Sequence, residues 1–327
     1  MSQQVPFIGR ENELAQIDQA IGLTGKRSIL FIDAMGGIGK TRLLQEVRKR
    51  YLTISTDRSD LIVTEILDFD DSSLHIPLNF GIKMARMLDE DAFKPYLQEV
   101  INLRKMEEGN VTEERLQRQQ EELTRIYIDC FNQISAKQKI VIFQDTIEAI
   151  PEKYRKDIFY PQLHFQNCVI LAAGRNARQV GDSFRQEEHK GVQIIDLPPL
   201  ETKDSKTYLQ HKQSLLHISL DTSLAEKLLF LAGGKPILID LATEWIAREI
   251  PLPWLAKKSI QEINNLPKEK LEELQSEFEH RLVLHIGDTR RPIDWLFLAM
   301  SYVYPLDPEM IEMCIRDSIH SLQEISL

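Results

Sequence analysis

The segment Ala34-Met35-Gly36-Gly37-Ile38-Gly39-Lys40-Thr41 restricts the fold of this chain more than any other stretch. It directly follows a short apolar run, Ser28–Asp33, and directly precedes Lys40–Tyr51, where Leu43, Leu44 and Val47 recur at helical spacing. A compact run with β-branched and aromatic members reads as a strand buried on both faces of a parallel sheet. Strand, glycine-rich turn and amphipathic helix then form a βα unit. In that setting Gly36, Gly37 and Gly39 let backbone N–H groups turn inward around an anion, and the helix presents its positive end to the same oxygens. Lys40 can reach β- and γ-phosphates, the Thr41 hydroxyl is placed to ligate Mg²⁺, and Ile38 and Arg42 complete the group of candidate nucleotide contacts. The usual pattern opens with glycine, and Ala34 in that place predicts an altered loop.

Four more apolar runs, Leu61–Phe69, Lys139–Phe143, Asn167–Ala173 and Val192–Leu197, alternate with helical or irregular stretches, the longest from Leu78 to Ile134. Within it the charged segment Lys105–Arg118 reads as a solvated helix face or a loop. The alternation predicts an open, mostly parallel, three-layer α/β domain over residues 1–200. Beyond Pro198-Pro199 only helical periodicity remains: Lys203–His217, Asp221–Ala232, Lys235–Arg248, Lys268–His285 and Ile293–Tyr304, punctuated by Gly233-Gly234, Pro251 and Pro253. A small helical domain is therefore expected at 201–265.

A phosphate loop needs a second strand bearing an acid, because the metal must be held from the opposite side and the attacking water oriented. Asp145, after Lys139–Phe143, is the candidate for the metal side, and Glu148 for polarising the water. A helix N-cap is the other reading for Asp145, and a first-turn carboxylate for Glu148. Gln144 occupies a position where an acid would strengthen the assignment. Arg175, after the next strand, can touch a γ-phosphate and stabilise transition-state charge, with Arg178 a weaker candidate. A loop arginine on the surface is the alternative for both.

Composition narrows the classes further. The formal charge is −10, from 40 Lys+Arg against 50 Asp+Glu, which makes nucleic acid a poor default partner. Cys130, Cys168 and Cys314 are far apart with no metal-like spacing, which argues for a reducing compartment. The start lacks a signal-peptide pattern, and the longest apolar stretch, Trp295–Leu306, is broken by Ser301 and Pro305, short of the ~18 residues a membrane span needs. A cytoplasmic protein with no membrane partner is expected.

Taken in order, PFIGRENEL, AMGGIGKT, VIFQDTIE, ILAAGR and GGKPILIDLA resemble the NTPase core of the STAND class, the signal-transducing branch of AAA+-related ATPases that includes NB-ARC proteins, over about residues 6–250. The resemblance implies a P-loop NTPase fold, ATP or ADP with Mg²⁺, a regulated switch, an unidentified protein partner, and self-association on activation. It places Phe7, Gly9 and Arg10 on the adenine side and has the turn of Gly234 and Pro236 close over the base. It also implies the start of a winged-helix-like domain at 266–312. Ala34 and Gln144 depart from the family pattern at the phosphate and metal sites. A nucleotide-stabilised scaffold without turnover is one alternative. A DNA-acting AAA+ ATPase of the origin-recognition type, which shares the Phe-x-Gly-Arg start, is another. Finally, Met313 to Ser318 resembles the translation of a transposon mosaic end used in sequencing libraries, and 313–327 is set aside as a non-native tail with the chain cut near residue 312.

Overall fold

All five apolar runs form strands: β1 Ser28–Asp33, β2 Leu61–Asp68, β3 Lys139–Asp145, β4 Cys168–Gly174 and β5 Val192–Asp196. The computed structural model describes residues 5–56, 58–107, 112–186, 191–248 and 260–284. Every strand pair is parallel, in the order β2-β3-β4-β1-β5. The burial pattern explains the apolar runs: β4, with neighbours on both edges, is buried at every residue, and β3 at all but its first.

The pleat sends alternate residues to opposite faces. Ile29, Phe31, Ile140, Ile142 and Ile170 join one apolar cluster with α3 Pro77–Leu88, α4 Lys94–Glu107, α5 Glu113–Ser135, α6 Glu152–Gln162 and α7 Ala177–Gln186. The buried Ile17, Leu43, Leu44 and Val47 of α1 Glu11–Gly22 and α2 Lys40–Thr56 lie outside that cluster, and these two helices pack on the sheet as well. The result is a three-layer P-loop NTPase α/β fold. Phe31 anchors its centre, with ring centroids 5.6 Å from Phe159 and 6.4 Å from Phe184. Truncating so buried a phenylalanine costs about 3–5 kcal/mol.

Within the charged stretch, 105–107 end α4 and 113–118 begin α5, the helical one of its two readings. Two details differ from the sequence reading. Strand β3 continues past Phe143 to Asp145. Helix α7, between β4 and β5, was not expected.

The chain divides into two compact units: one holds Phe7–Met35 and Gly39–Pro198, and the second holds the chain from Pro199 together with Gly36–Ile38. The second contains α8 Thr202–Leu216, α9 Thr222–Ala232, α10 Pro236–Ala247, α11 Ile260–Asn264 and α12 Lys268–Leu284. Its cluster joins Leu209, Leu228, Leu238, Leu241 and Trp245 to Phe278 and Leu282 of α12, beyond residue 265 where the helical domain was expected to end. Gly234 is required twice over: its φ is +75°, and a Cβ there would stand 2.4 Å from the Leu200 carbonyl oxygen. The helix expected at 293–304, the rest of the winged-helix-like segment, Cys314 and the tail at 313–327 lie outside the described residues. Among the described residues no helix is long and apolar enough to cross a membrane.

Candidate functional site

Because all strands run the same way, their C-terminal ends meet at one edge. Ala34 follows β1, Arg175 follows β4, and Asp145, Asp68 and Asp196 end β3, β2 and β5. The sheet order reverses at β1, with β4, β3 and β2 on one side and β5 on the other. In open α/β sheets the ligand crevice forms beyond the strand ends at such a reversal.

The glycine loop joins β1 to α2 there. Gly37 and Gly39 take φ of 75° and 104°, which an L side chain rarely adopts. Ala34 is not among the positive-φ residues, so the alanine adds no backbone strain. Ile38 is buried, and Arg42 is half-buried in the first turn of α2. The Lys40 ammonium donates to the carbonyls of Ala34 at 2.7 Å and Met35 at 3.1 Å. Burial pushes its pKa down; Glu148 and Asp145 oppose the shift, whereas Arg175 adds to it.

Asp145 is 3% exposed, and its carboxylate accepts from the Thr146 N–H at 2.9 Å and from the Thr41 hydroxyl. Burial above all, with the Asp68 charge, raises its pKa to about 6, against the pull of Thr41 and Lys40. The following helix, α6, has Pro151 as its cap, so the carboxylate of Asp145 is not spent on a helix N-terminus. Glu148 lies in a one-turn 3-10 helix, Ile147–Ala149, preceded by Thr146 at φ 57°. A β-branched residue in that region is an outlier, held there only where its surroundings over-determine the backbone. The Glu148 Oε1 stands 3.6 Å from Arg175 Nε, while Oε2 is buried without a hydrogen-bond partner. Gly174 makes the space: a Cβ at that position would lie 2.5 Å from Oε2. Burial raises the Glu148 pKa, opposed by Lys40 and Arg175.

Five candidates therefore converge: Lys40, Thr41, Asp145, Glu148 and Arg175. Others do not. Gln144, on the opposite pleat face from Asp145, is fully buried and donates to Gln162 Oε1 on α6 at 3.1 Å. Arg178 pairs with Asp196, and its backbone N–H donates to Asp33 at 3.0 Å. Arg10, at φ 73° beside Gly9 at 71°, donates to the Pro198 carbonyl at 2.5 Å and pairs with Glu13 at 3.7 Å. Phe7 is half-buried. Pro236 is the first residue of α10, where a missing N–H costs nothing.

Sequence reasoning passed over two carboxylates. Asp68 stands opposite Asp145 in the β2–β3 register. Asp70, in the turn after β2, has a pKa raised by desolvation and by Asp68 and lowered by Arg175. The available signal was their position after a parallel strand, the edge that also carries the glycine loop. Among the described residues no three His, Cys, Asp or Glu side chains form a metal cage. A hard cation can be held by one or two protein oxygens plus substrate phosphates, and the paired Thr41 hydroxyl and Asp145 carboxylate are oxygen donors of that kind.

No protein-family model matches the chain, and comparison with curated proteins finds no match. Among solved structures it is similar to the Aeropyrum pernix ORC1 protein in complex with DNA, at 11% identity over 88% of this chain and 70% of that one, TM-score 0.49. The Aeropyrum pernix ORC2 protein in ADPNP–ADP complexes gives 11% identity, 97% and 87% coverage and TM-score 0.48. A signal-transduction ATPase with numerous domains, a STAND protein with a tetratricopeptide repeat sensor from Pyrococcus horikoshii, gives 18% identity and TM-score 0.42, with 92% of this chain spanning 40% of that one. Identities and scores this low leave the fold to rest on the sheet order and the glycine loop themselves.

Proposed function

We propose that this chain is a nucleotide-dependent switch that binds ATP with Mg²⁺ and hydrolyses it slowly. The observation carrying the proposal is the convergence of Lys40, Thr41, Asp145, Glu148 and Arg175 on one edge of the sheet, with the Glu148 carboxylate partly unsatisfied. Glycine-loop N–H groups and the start of α2 bind the phosphates, and Lys40 exchanges its two carbonyl partners for phosphate oxygens. Thr41 and Asp145 would hold Mg²⁺, whose chemistry is to neutralise charge on the phosphate oxygens. Glu148 orients a water and takes its proton as the new O–P bond forms and the bond to the β–γ bridging oxygen breaks. The raised pKa of Glu148 suits that transfer. Arg175 then exchanges Glu148 for the γ-phosphate and reports its presence. Phe7 and Gly9 keep the nucleotide-contact roles that the resemblance implies, and Arg42 the role its place after the glycine loop implies.

The downstream role has two readings. The motif order supports a STAND-type signalling switch that self-associates when active. A DNA-acting ATPase of the origin-recognition type is the other, and the shared Phe-x-Gly-Arg start at Phe7, Gly9 and Arg10 supports it no less. Against it stands the net charge of −10.

Phosphate release and nucleotide binding test the site directly. Lys40→Ala should weaken ATP binding by about 10- to 100-fold, the worth of charge-assisted hydrogen bonds. Glu148→Gln should lower turnover by about 10²- to 10⁴-fold while retaining binding. Unchanged ATP binding by Lys40→Ala sinks the phosphate site; equal and negligible turnover in wild type and Glu148→Gln leaves a binding scaffold. Fluorescence anisotropy of a labelled DNA duplex, with ATP and with ADP, separates the two downstream readings.

A further inference from the structure

We infer that Arg155 is a positioning residue for Glu148, clamping the short turn that carries it. The inference rests on the hydrolytic reading above. Glu148 is not on a strand or a long helix but on a turn of three residues, held by the Thr146 carbonyl accepting from Ala149 at 3.0 Å and the Ile147 carbonyl accepting from Ile150 at 3.2 Å. So short a piece of 3-10 helix has poor intrinsic hydrogen-bond geometry and little cooperativity. A carboxylate mounted on it would wander unless something rigid held the backbone.

Arg155 supplies that hold from α6. Its Nε donates to the Ile150 carbonyl at 2.9 Å, and its Nη2 donates to the carbonyl of Glu148 itself at 3.4 Å. A planar guanidinium fixes the spacing of the two oxygens it contacts, which a flexible ammonium does not. The fork is anchored in turn, because Ile158 and Phe159 of the same helix are each 1% exposed in the core below the sheet. On the far side the turn is pinned by Ile147, which is fully buried, and the carboxylate is bounded by Gly174 and Arg175. Position thus passes from the core through α6 and the Arg155 fork to the Glu148 backbone. Arg155 is half-buried and donates to the turn's carbonyls, so its influence on the reaction runs through Glu148.

The test uses the whole chain with Arg155→Ala and Arg155→Lys, each alone and combined with Glu148→Gln. Arg155→Ala should lower kcat for phosphate release about 100-fold, the effect of a displacement of about 1 Å at a reacting group, with KM for ATP unchanged. Arg155→Lys should recover part of the loss through one carbonyl. In the Glu148→Gln background Arg155→Ala should change nothing further, because the residue it positions is already disabled. An equal fractional loss in both backgrounds overturns the inference. A second readout does not depend on turnover: the Glu148 carboxyl titration followed by ¹³C NMR, its resonance assigned by its disappearance in Glu148→Gln. Arg155→Ala should move the midpoint down toward that of a solvated glutamate, and an unmoved midpoint overturns the clamp. A wild type that releases no phosphate refutes the hydrolytic reading, while the titration still decides the clamp. If Arg155→Ala fails to fold, Arg155→Lys carries both readouts, with a smaller shift in the same direction expected and no shift overturning the inference.

Discussion

Both units of the molecule bury charge, and they treat it differently. In the helical unit Lys212, buried on α8, pairs with Asp240 at 2.9 Å and with Glu244 at 3.9 Å, and Asp240 also accepts from the Tyr208 hydroxyl at 3.0 Å. Each of these groups faces a partner of the opposite sign or a donor. At the edge of the α/β sheet, Glu148 has one oxygen toward Arg175 at 3.6 Å and the other with no hydrogen-bond partner, and Asp145 is desolvated beside the acidic Asp68. Burial pushes the pKa of Asp240 up, as it does for Asp145, so the direction of a shift does not distinguish the two places. Closure of the pairing does. A closed network holds helices together, and an open one retains bonding capacity for a ligand.

That contrast can be broken in three ways, beginning with the largest effect. Gly174→Ala places a methyl group 2.5 Å from Glu148 Oε2 and 2.6 Å from Ile147 Cγ1, so the carboxylate must move. Turnover should fall about 100-fold, with a stability loss of about 1–3 kcal/mol measured by urea titration. A fully active Gly174→Ala would show that Glu148 need not sit where it does.

Lys212→Ala removes the cation from the closed network and leaves Asp240 and Glu244 facing each other. Breaking a buried pair by deleting one partner costs about 3 kcal/mol or somewhat less at this partial exposure. The thermal midpoint should drop while ATP affinity stays the same. Loss of binding without loss of stability would reverse the assignment of the two networks.

The smallest effect has a pH signature. The Asp145 pKa is raised to about 6 in the folded protein, above the ordinary carboxylate value, so the native state binds a proton that the unfolded chain has already released. The native state's advantage is therefore complete below about pH 4 and is lost as pH rises through about 6. Asp145→Asn keeps the shape without the charge. In nucleotide-free protein it should be more stable than wild type by about 1–3 kcal/mol at pH 8, with the difference vanishing near pH 4. With ATP and Mg²⁺ the order should reverse, because the substituted protein has lost the carboxylate that holds the metal. Calorimetric scans at the two pH values, with and without nucleotide, measure all four cases.

Much of this architecture was legible because it is local. A six-residue apolar run, a glycine turn and a heptad-like stripe mark β1, the loop and α2 within one window, and Asp145 closes its strand. Gln144 could have been placed as well, since the period-2 alternation of a strand puts it on the face away from Asp145. Helix α7 was hidden by its shortness and by Gly181 at its middle, where a Cβ would lie 2.9 Å from the Phe31 ring; a close approach set the residue, against helix propensity. Asp68 and Asp70 were invisible for a different reason. Their closeness to the site depends on β2 lying beside β3, a pairing across 77 or more positions of chain that no local window contains. The Arg155 clamp belongs to the same class: its geometry depends on how α6 docks.

Strand β4 has one further consequence. It is enclosed by helices above and below and by β3 and β1 at its sides, so its amides meet water only when the whole sheet opens. In a deuterium-exchange experiment these protons should be among the slowest in the chain, with exchange quickening abruptly at Asn176 in the exposed turn beyond it. Arg175 stands at that step, on the last fixed point of a stiff rod, so that swinging between two anions asks only its side chain to move.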